Sequence, residues 1–323
     1  MSYRWDEDFE TAAKKLEEFL KLSPDSVFAF YDLGYCYYKL KRYDKAAEAF
    51  SRYLDGGLVA MPLYIREAHY YRGQSYFFAG DYRKAIYDFS WSLARGYTES
   101  GRVNDFLARA YCRLCNLKRA LKEFRRALEA DEFEADFYIH MADCYRRFGM
   151  LEEALEAVNA AIRIDHDNAG YHYIKAGLLG KLERLDEAVI EYSLVLKFAP
   201  QHCCARMMRA QAWALMGRLD EAERDLAKAE AEGGTRSATY YYVRSLIRFE
   251  SGACESALED INRAIAMGCD TPSMACFYRQ RARIYEAMGD VRAAEQDRLK
   301  ADCMDAAECA CKRRSGGTPE SGA

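Results

Sequence analysis

The sequence predicts an all-α chain assembled from about eight copies of one helix-turn-helix unit, with capping helices at the ends. Three observations carry this. Alanine recurs at Ala12, Ala46, Ala85, Ala120, Ala154, Ala188, Ala222, Ala257 and Ala294, with steps of 34, 39, 35, 34, 34, 34, 35 and 37 residues. Twelve residues before all but the first stands a small residue: Gly34, Gly73, Ala108, Ala142, Ala176, Ala210, Ser245 or Ala282. Between the two lies a turn, marked by glycine in Ala79-Gly80-Asp81, Phe148-Gly149-Met150, Met216-Gly217-Arg218 and Met288-Gly289-Asp290. A fixed period of this length is the mark of stacked repeats. Small residues let two helices cross closely, and glycine supports the left-handed helix end.

The elements follow in order. Residues 1–26 hold a lone helix, about Asp6 to Lys21, stopped at Pro24 and serving as the N-terminal cap. Units then begin near 27, 66, 101, 135, 169, 203, 238 and 275, within a stack spanning 27–306. The first reads Phe30-Leu33-Gly34-Tyr37-Ala46-Phe50, and the second Arg72-Gly73-Tyr76-Gly80-Ala85-Phe89. The step of 39 inserts five residues around 56–65, as a longer loop or an extended helix. The seventh unit departs from the pattern at Arg248, and the eighth at Arg298, where apolar residues are expected. A wetter final unit suits a solenoid cap. Residues 307–323 are expected to be largely disordered, most plainly in the Gly- and Ser-bearing end from Ser315.

Composition narrows the function. The 323 residues carry 47 Lys+Arg and 51 Asp+Glu, a net charge of −4, which gives no global drive toward nucleic acid. Five prolines favour long helices. No apolar run is long enough to span a membrane. The acidic start, Asp6-Glu7-Asp8, does not resemble a secretory signal. Twelve cysteines spread along a chain of this length read as free thiols in a reducing cytoplasm. Three groups have some ligand character: Cys112 with Cys115; His202 with Cys203 and Cys204; and Cys303, Cys309 and Cys311. A closed metal site needs four converging ligands, usually from two such pairs. Buried structural thiols are therefore expected, with no metal and no cofactor. No phosphate loop, nucleophile motif or HExxH sequence is present, so the chain is not expected to be an enzyme.

These units resemble the tetratricopeptide repeat (TPR), whose period is 34 residues. The likeness covers most of the chain and implies a right-handed superhelix whose first helices line a concave face that holds a peptide or protein. Extrapolating the repeat phase, that face carries Tyr31, Tyr35 and Tyr38, then Tyr70, Gln74 and Phe77, then Arg102, Asp105, Arg109 and Arg113, then Arg146, and later Tyr173. Tyrosine gives large contact area at low entropic cost, and arginine suits carboxylates. The expected ligand has an apolar anchor followed by acidic residues. Tyr31, Tyr35 and Gln74 stand where one subclass has a Lys/Asn clamp for chaperone C-termini, so that adaptor role is not expected. Alternatives are self-association through the convex face or ends, and a redox or metal-binding use of the cysteine clusters.

A second periodicity concerns charge. Arg72 and Asp88, Arg209 and Asp225, Arg244 and Asp260, and Arg281 and Asp297 all lie 16 residues apart, and Lys175 and Glu191 keep the same spacing. A partly buried arginine needs a partner. The pairs are therefore expected to bridge the two helices of one unit. From Arg102 to Leu128 eight basic residues face two acids; Lys118, Arg119, Lys122, Arg125 and Arg126 fall on an outward second helix, expected to be a solvated face.

Overall fold

The computed structural model describes residues 8–56, 62–232, 236–268 and 274–314, without the side chains of 62, 63 and 305–314. Among the described residues there are 17 helices and no strand. The chain divides into two compact units, Met1–Cys144 and Tyr145–Ala323. Unit 1 contains α1 (Phe9–Leu22), α2 (Val27–Lys39), α3 (Tyr43–Asp55), α4 (Pro62–Ala79), α5 (Tyr82–Ala94), α6 (Ser100–Arg113), α7 (Leu117–Ala130) and most of α8 (Ala135–Arg147). Unit 2 contains the end of α8, then α9 (Leu151–Ile164), α10 (Ala169–Lys181), α11 (Leu185–Phe198), α12 (Cys203–Leu215), α13 (Leu219–Ala231), α14 (Ala238–Glu250), α15 (Cys254–Met267), α16 (Ala275–Ala287) and α17 (Val291–Arg314). The repeat is that of an all-α solenoid: within each unit, helices pack mainly on their neighbours in sequence, as α6 on α7 and α14 on α15.

The recurring alanines sit at those contacts. Ala46, Ala85 and Ala120 in unit 1, and Ala154, Ala188, Ala222 and Ala257 in unit 2, are fully buried. Four residues on, Phe50, Phe89 and Phe124 are fully buried too. In the first two repeats the paired small residue is glycine because the ring leaves no room. A Cβ on Gly34 would lie 3.0 Å from Phe50, and one on Gly73 would lie 2.9 Å from Phe89.

The turns show why glycine is not obligatory there. Gly80, Gly149, Gly217, Gly252 and Gly289 take positive φ, but so do Lys41 (57°), Cys115 (57°) and Glu183 (59°) at the same place in their repeats. The left-handed residue lets two amides turn back on the helix end, as Gly80 N donates to the Phe77 carbonyl and Asp81 N to that of Tyr76.

Of the 56–65 insertion, Gly56 caps α3, residues 57–61 lie outside the described residues, and 62–65 extend α4, which runs 18 residues from Pro62. At the other end α17 runs 24 residues to Arg314, so helix replaces disorder over 307–314. The segment Asp305–Arg314 contains no glycine or proline to stop it, and Gly316-Gly317 comes only afterwards. Residues 315–323 lie outside the described residues.

The charge periodicity corresponds to forked ion pairs. Arg72 Nε and Nη2 each donate to Asp88 at 2.8 Å. Arg209 grips Asp225 at 2.7 and 2.7 Å, Arg244 grips Asp260 at 2.7 and 2.6 Å, and Arg281 grips Asp297 at 2.6 and 2.8 Å. Lys175 Nζ meets Glu191 at 2.7 Å. Nη1 of three of these arginines is spent elsewhere: on Ser51, Ser193 and Asn262, each five residues after the repeat alanine of the preceding second helix. The pair thus ties three helices together rather than two. Burial works against the charge on Arg72, and the hydrogen bonds and charge of Asp88 outweigh it, raising its pKa.

A third partner escaped the sequence reading. His69, three residues before Arg72, has Nδ1 2.7 Å from Asp88. His172, three before Lys175, has Nδ1 2.6 Å from Glu191. A carboxylate can only accept, so the ring nitrogen donates. Arg248 leaves the apolar pattern because it also reaches Asp260, at 2.8 Å, and Arg298 bonds Glu286.

Candidate functional site

The aromatic stripe of α2 places Tyr31, Tyr35 and Tyr38 on one side of the helix, half-buried. All three lean toward α4. Tyr31 lies edge-on to Tyr53 (5.3 Å) and Tyr64 (5.2 Å), and its hydroxyl donates to Glu67 at 2.7 Å. Burial and that acidic partner push its pKa up. Tyr35 and Tyr38 both pack on Tyr71, at 5.3 and 5.4 Å, and Lys39 Nζ stands 5.2 Å over Tyr35.

The structure corrects the expectation for α4. Tyr70, Gln74 and Phe77 do not line an open face; they are 5%, 4% and 7% exposed. The next repeat covers them. Tyr97 stacks on Tyr70 at 4.7 Å, and Phe106 closes on Tyr70 and Phe77 at 6.4 and 5.4 Å. Gln74 is caught in the same layer, and its Oε1 has no hydrogen-bond partner among the described residues. The exposed aromatics of α4 are instead Tyr64, 39% exposed, and Phe78, 44% exposed and stacked 4.8 Å from Tyr43 at the start of α3. None of these residues was singled out in the sequence, although Phe78 directly follows Phe77.

Basic residues border this platform. Arg109 is partly exposed and lies over both Phe77 (4.9 Å) and Phe106 (4.8 Å), while its Nη1 reaches Asp105 at 3.3 Å. His140 Nδ1 approaches the same Asp105 at 2.9 Å. Arg113 is exposed and sits 6.0 Å over Tyr82. Arg102 is exposed beside Glu99, at 3.5 Å. Tyr38 packs on Tyr43 at 6.2 Å, and Phe106, beneath Arg109, lies 6.1 Å from Phe78; Tyr35 and Arg113 stand one ring further out, on Tyr71 and Tyr82. A rigid aromatic surface beside guanidinium groups already desolvated on one face can take an apolar side chain and a carboxylate.

The two remaining residues belong to unit 2. Arg146 is exposed. Tyr173 is half-buried between Tyr192 (5.9 Å) and His202 (5.0 Å), and burial raises its pKa. Among the cysteines, Cys112 is buried and Cys115 occupies a turn; Cys204 and Cys303 are exposed; the side chains of Cys309 and Cys311 lie outside the described residues. Among the described residues no group of three or more His, Cys, Asp and Glu is placed to hold a metal ion.

Comparison with known proteins agrees with this architecture. Two family models described as tetratricopeptide repeat match residues 3–57 and 116–178. A tetratricopeptide repeat protein from Parabacteroides merdae is similar over 78% of this chain and 99% of its own, with 20% identity and a TM-score of 0.64. The C-terminal part of a TPR repeat-containing protein from Cytophaga hutchinsonii covers 81% of this chain and 99% of its own, at 14% identity and a TM-score of 0.57. No curated protein matches the sequence. The helix pairs, their period and these matches make the chain a tetratricopeptide repeat protein.

Proposed function

We propose that this protein is a non-catalytic scaffold that holds a protein segment on the first-helix face of unit 1. The repeat fold supports a protein-interaction scaffold in general. The observation that favours this face is the open Phe78–Tyr43 stack, with Tyr38 packed on Tyr43, Arg109 over the Phe106 ring that meets Phe78, and Arg113 over Tyr82 at the start of α5. The segment presents an apolar side chain to the stack and acidic residues to the arginines. Twelve cysteines spread along a chain of this length suit thiols in a reducing compartment such as the cytoplasm. No helix among the described residues is long and apolar enough to cross a membrane.

The test is affinity capture from native extract with wild type and a Tyr38→Ala, Phe78→Ala, Arg113→Ala variant. These positions are at least partly exposed, so helical circular dichroism and melting should stay close to wild type. A partner held by wild type and lost by the variant supports the reading. Identical partner sets for both proteins reject it.

A further inference from the structure

Away from that face, α7 has no acid at its N-terminus, whereas the other second helices carry one in the first turn or, as α5 and α17 do with Asp81 and Asp290, at the residue before it. Carboxylates are favoured in the first turn of a helix, where the peptide dipoles leave partial positive charge. Acids stand there in α3 (Asp44), α9 (Glu152, Glu153), α11 (Asp186, Glu187), α13 (Asp220, Glu221) and α15 (Glu255). The α7 helix has none, and opens Leu117-Lys118-Arg119. Such departures from local preference concentrate where a surface serves function.

The cations of α7 fall into two sets. Arg119 is occupied over Tyr111 at 5.6 Å, and Arg126 is bonded to both oxygens of Glu123 at 3.1 Å. Lys118, Lys122 and Arg125 are exposed and make no ion pair, hydrogen bond or ring contact among the described residues. Their spacing of four and three residues puts them in one straight stripe, about 10 Å long at 1.5 Å per residue. We infer that this stripe is a docking surface for a short acidic polypeptide segment, with carboxylates spaced to meet the three cations.

Charge complementarity and the surroundings choose this occupant. Beyond the stripe, Glu129, Asp131 and Glu132 are exposed, so a long polyanion running along α7 meets repulsion after three contacts. The exposed face of α7 has no aromatic side chain on which a base stacks, which disfavours single-stranded nucleic acid. It has no exposed large apolar side chain to enter a bilayer, which disfavours a membrane surface. A short run of Asp or Glu uses all three cations and stops before the acids begin.

The experiment measures fluorescence anisotropy of a labelled helical peptide bearing glutamates at i, i+4 and i+7, titrated with the full-length chain. The wild type is expected to bind, more weakly as salt rises. A Lys118→Ala, Lys122→Ala, Arg125→Ala variant is expected to lose about tenfold or more in affinity, because exposed charge pairs act together in a short stripe. A control with equal charge removed elsewhere, Lys41→Ala, Lys45→Ala, Arg52→Ala, should bind like wild type. So should a Tyr38→Ala, Phe78→Ala variant, which separates this surface from the aromatic face. Absence of wild-type binding, equal loss in the lysine control, or tighter binding of single-stranded DNA or phosphatidylserine vesicles would overturn the inference.

Discussion

Arg72 holds both carboxylate oxygens of Asp88 at 2.8 Å, with the carboxylate fully buried and the arginine largely so. A buried pair of this kind is costly to break and much cheaper to replace whole. Asp88→Ala should cost about 3–5 kcal/mol, since it strands Arg72 and also leaves His69 without its acceptor. An Arg72→Met, Asp88→Leu double substitution should cost clearly less than Asp88→Ala. Urea unfolding followed by circular dichroism reads both; equal losses would show that the pair is not acting as a unit.

Three turns carry a strained residue that glycine relieves. Lys41, Cys115 and Glu183 have φ between 57° and 59°, whereas five sister turns use glycine. Lys41→Gly, Cys115→Gly and Glu183→Gly should each raise stability by about 0.5–1 kcal/mol. A melting temperature that falls in all three would refute this account of the turns.

Two helical glycines should respond oppositely to alanine. Gly73→Ala drives a methyl to 2.9 Å from the Phe89 ring and should destabilise by about 1–3 kcal/mol. Gly177 in α10 has nothing within 4 Å of a built Cβ. Gly177→Ala should therefore stabilise by up to about 1 kcal/mol. Chemical denaturation of the two variants side by side checks the sign of each.

Alkaline pH should unfold the chain through its tyrosines. Burial pushes the Tyr71 phenol up to about 12, and burial with the Glu17 hydrogen bond pushes Tyr37 up to about 12, against 10.0 in the unfolded chain. A raised phenol binds its proton more tightly when folded. Its contribution is thus complete below pH 10.0 and is lost as pH rises toward about 12. Each such group should lower stability by about 1.4 kcal/mol per pH unit across that window. Phenolate absorbance recorded with circular dichroism checks this: these tyrosines should ionise together with unfolding, not before it.

Much of the architecture was legible because each repeat meets only its neighbours, so residues at one phase face one kind of surroundings. Ala85, Gly73 and Phe89 could be read for that reason, and so could Arg72 with Asp88. What remained hidden depends on contacts between repeats. Ser51, Ser193 and Asn262 receive the spare arginine nitrogen from the following unit, and no spacing within a unit reveals them. Repeat phase alone puts Tyr70 and Phe77 on an open face, yet Phe106 of the next first helix closes over both. The exposed ring, Phe78 stacked on Tyr43, lies one residue away from the buried Phe77. The two histidines at the ion pairs had a readable signal: both stand three residues before the basic partner.

Hydroxyl-radical footprinting of the captured complex tests the central claim most directly, because it reads side-chain access. On binding, Phe78, Tyr43 and Tyr38 should lose reactivity, while Tyr87 and Phe133, 64% and 73% exposed elsewhere on unit 1, should keep theirs. Unchanged oxidation of Phe78 and Tyr43, with protection appearing at Tyr87 or Phe133, would contradict it.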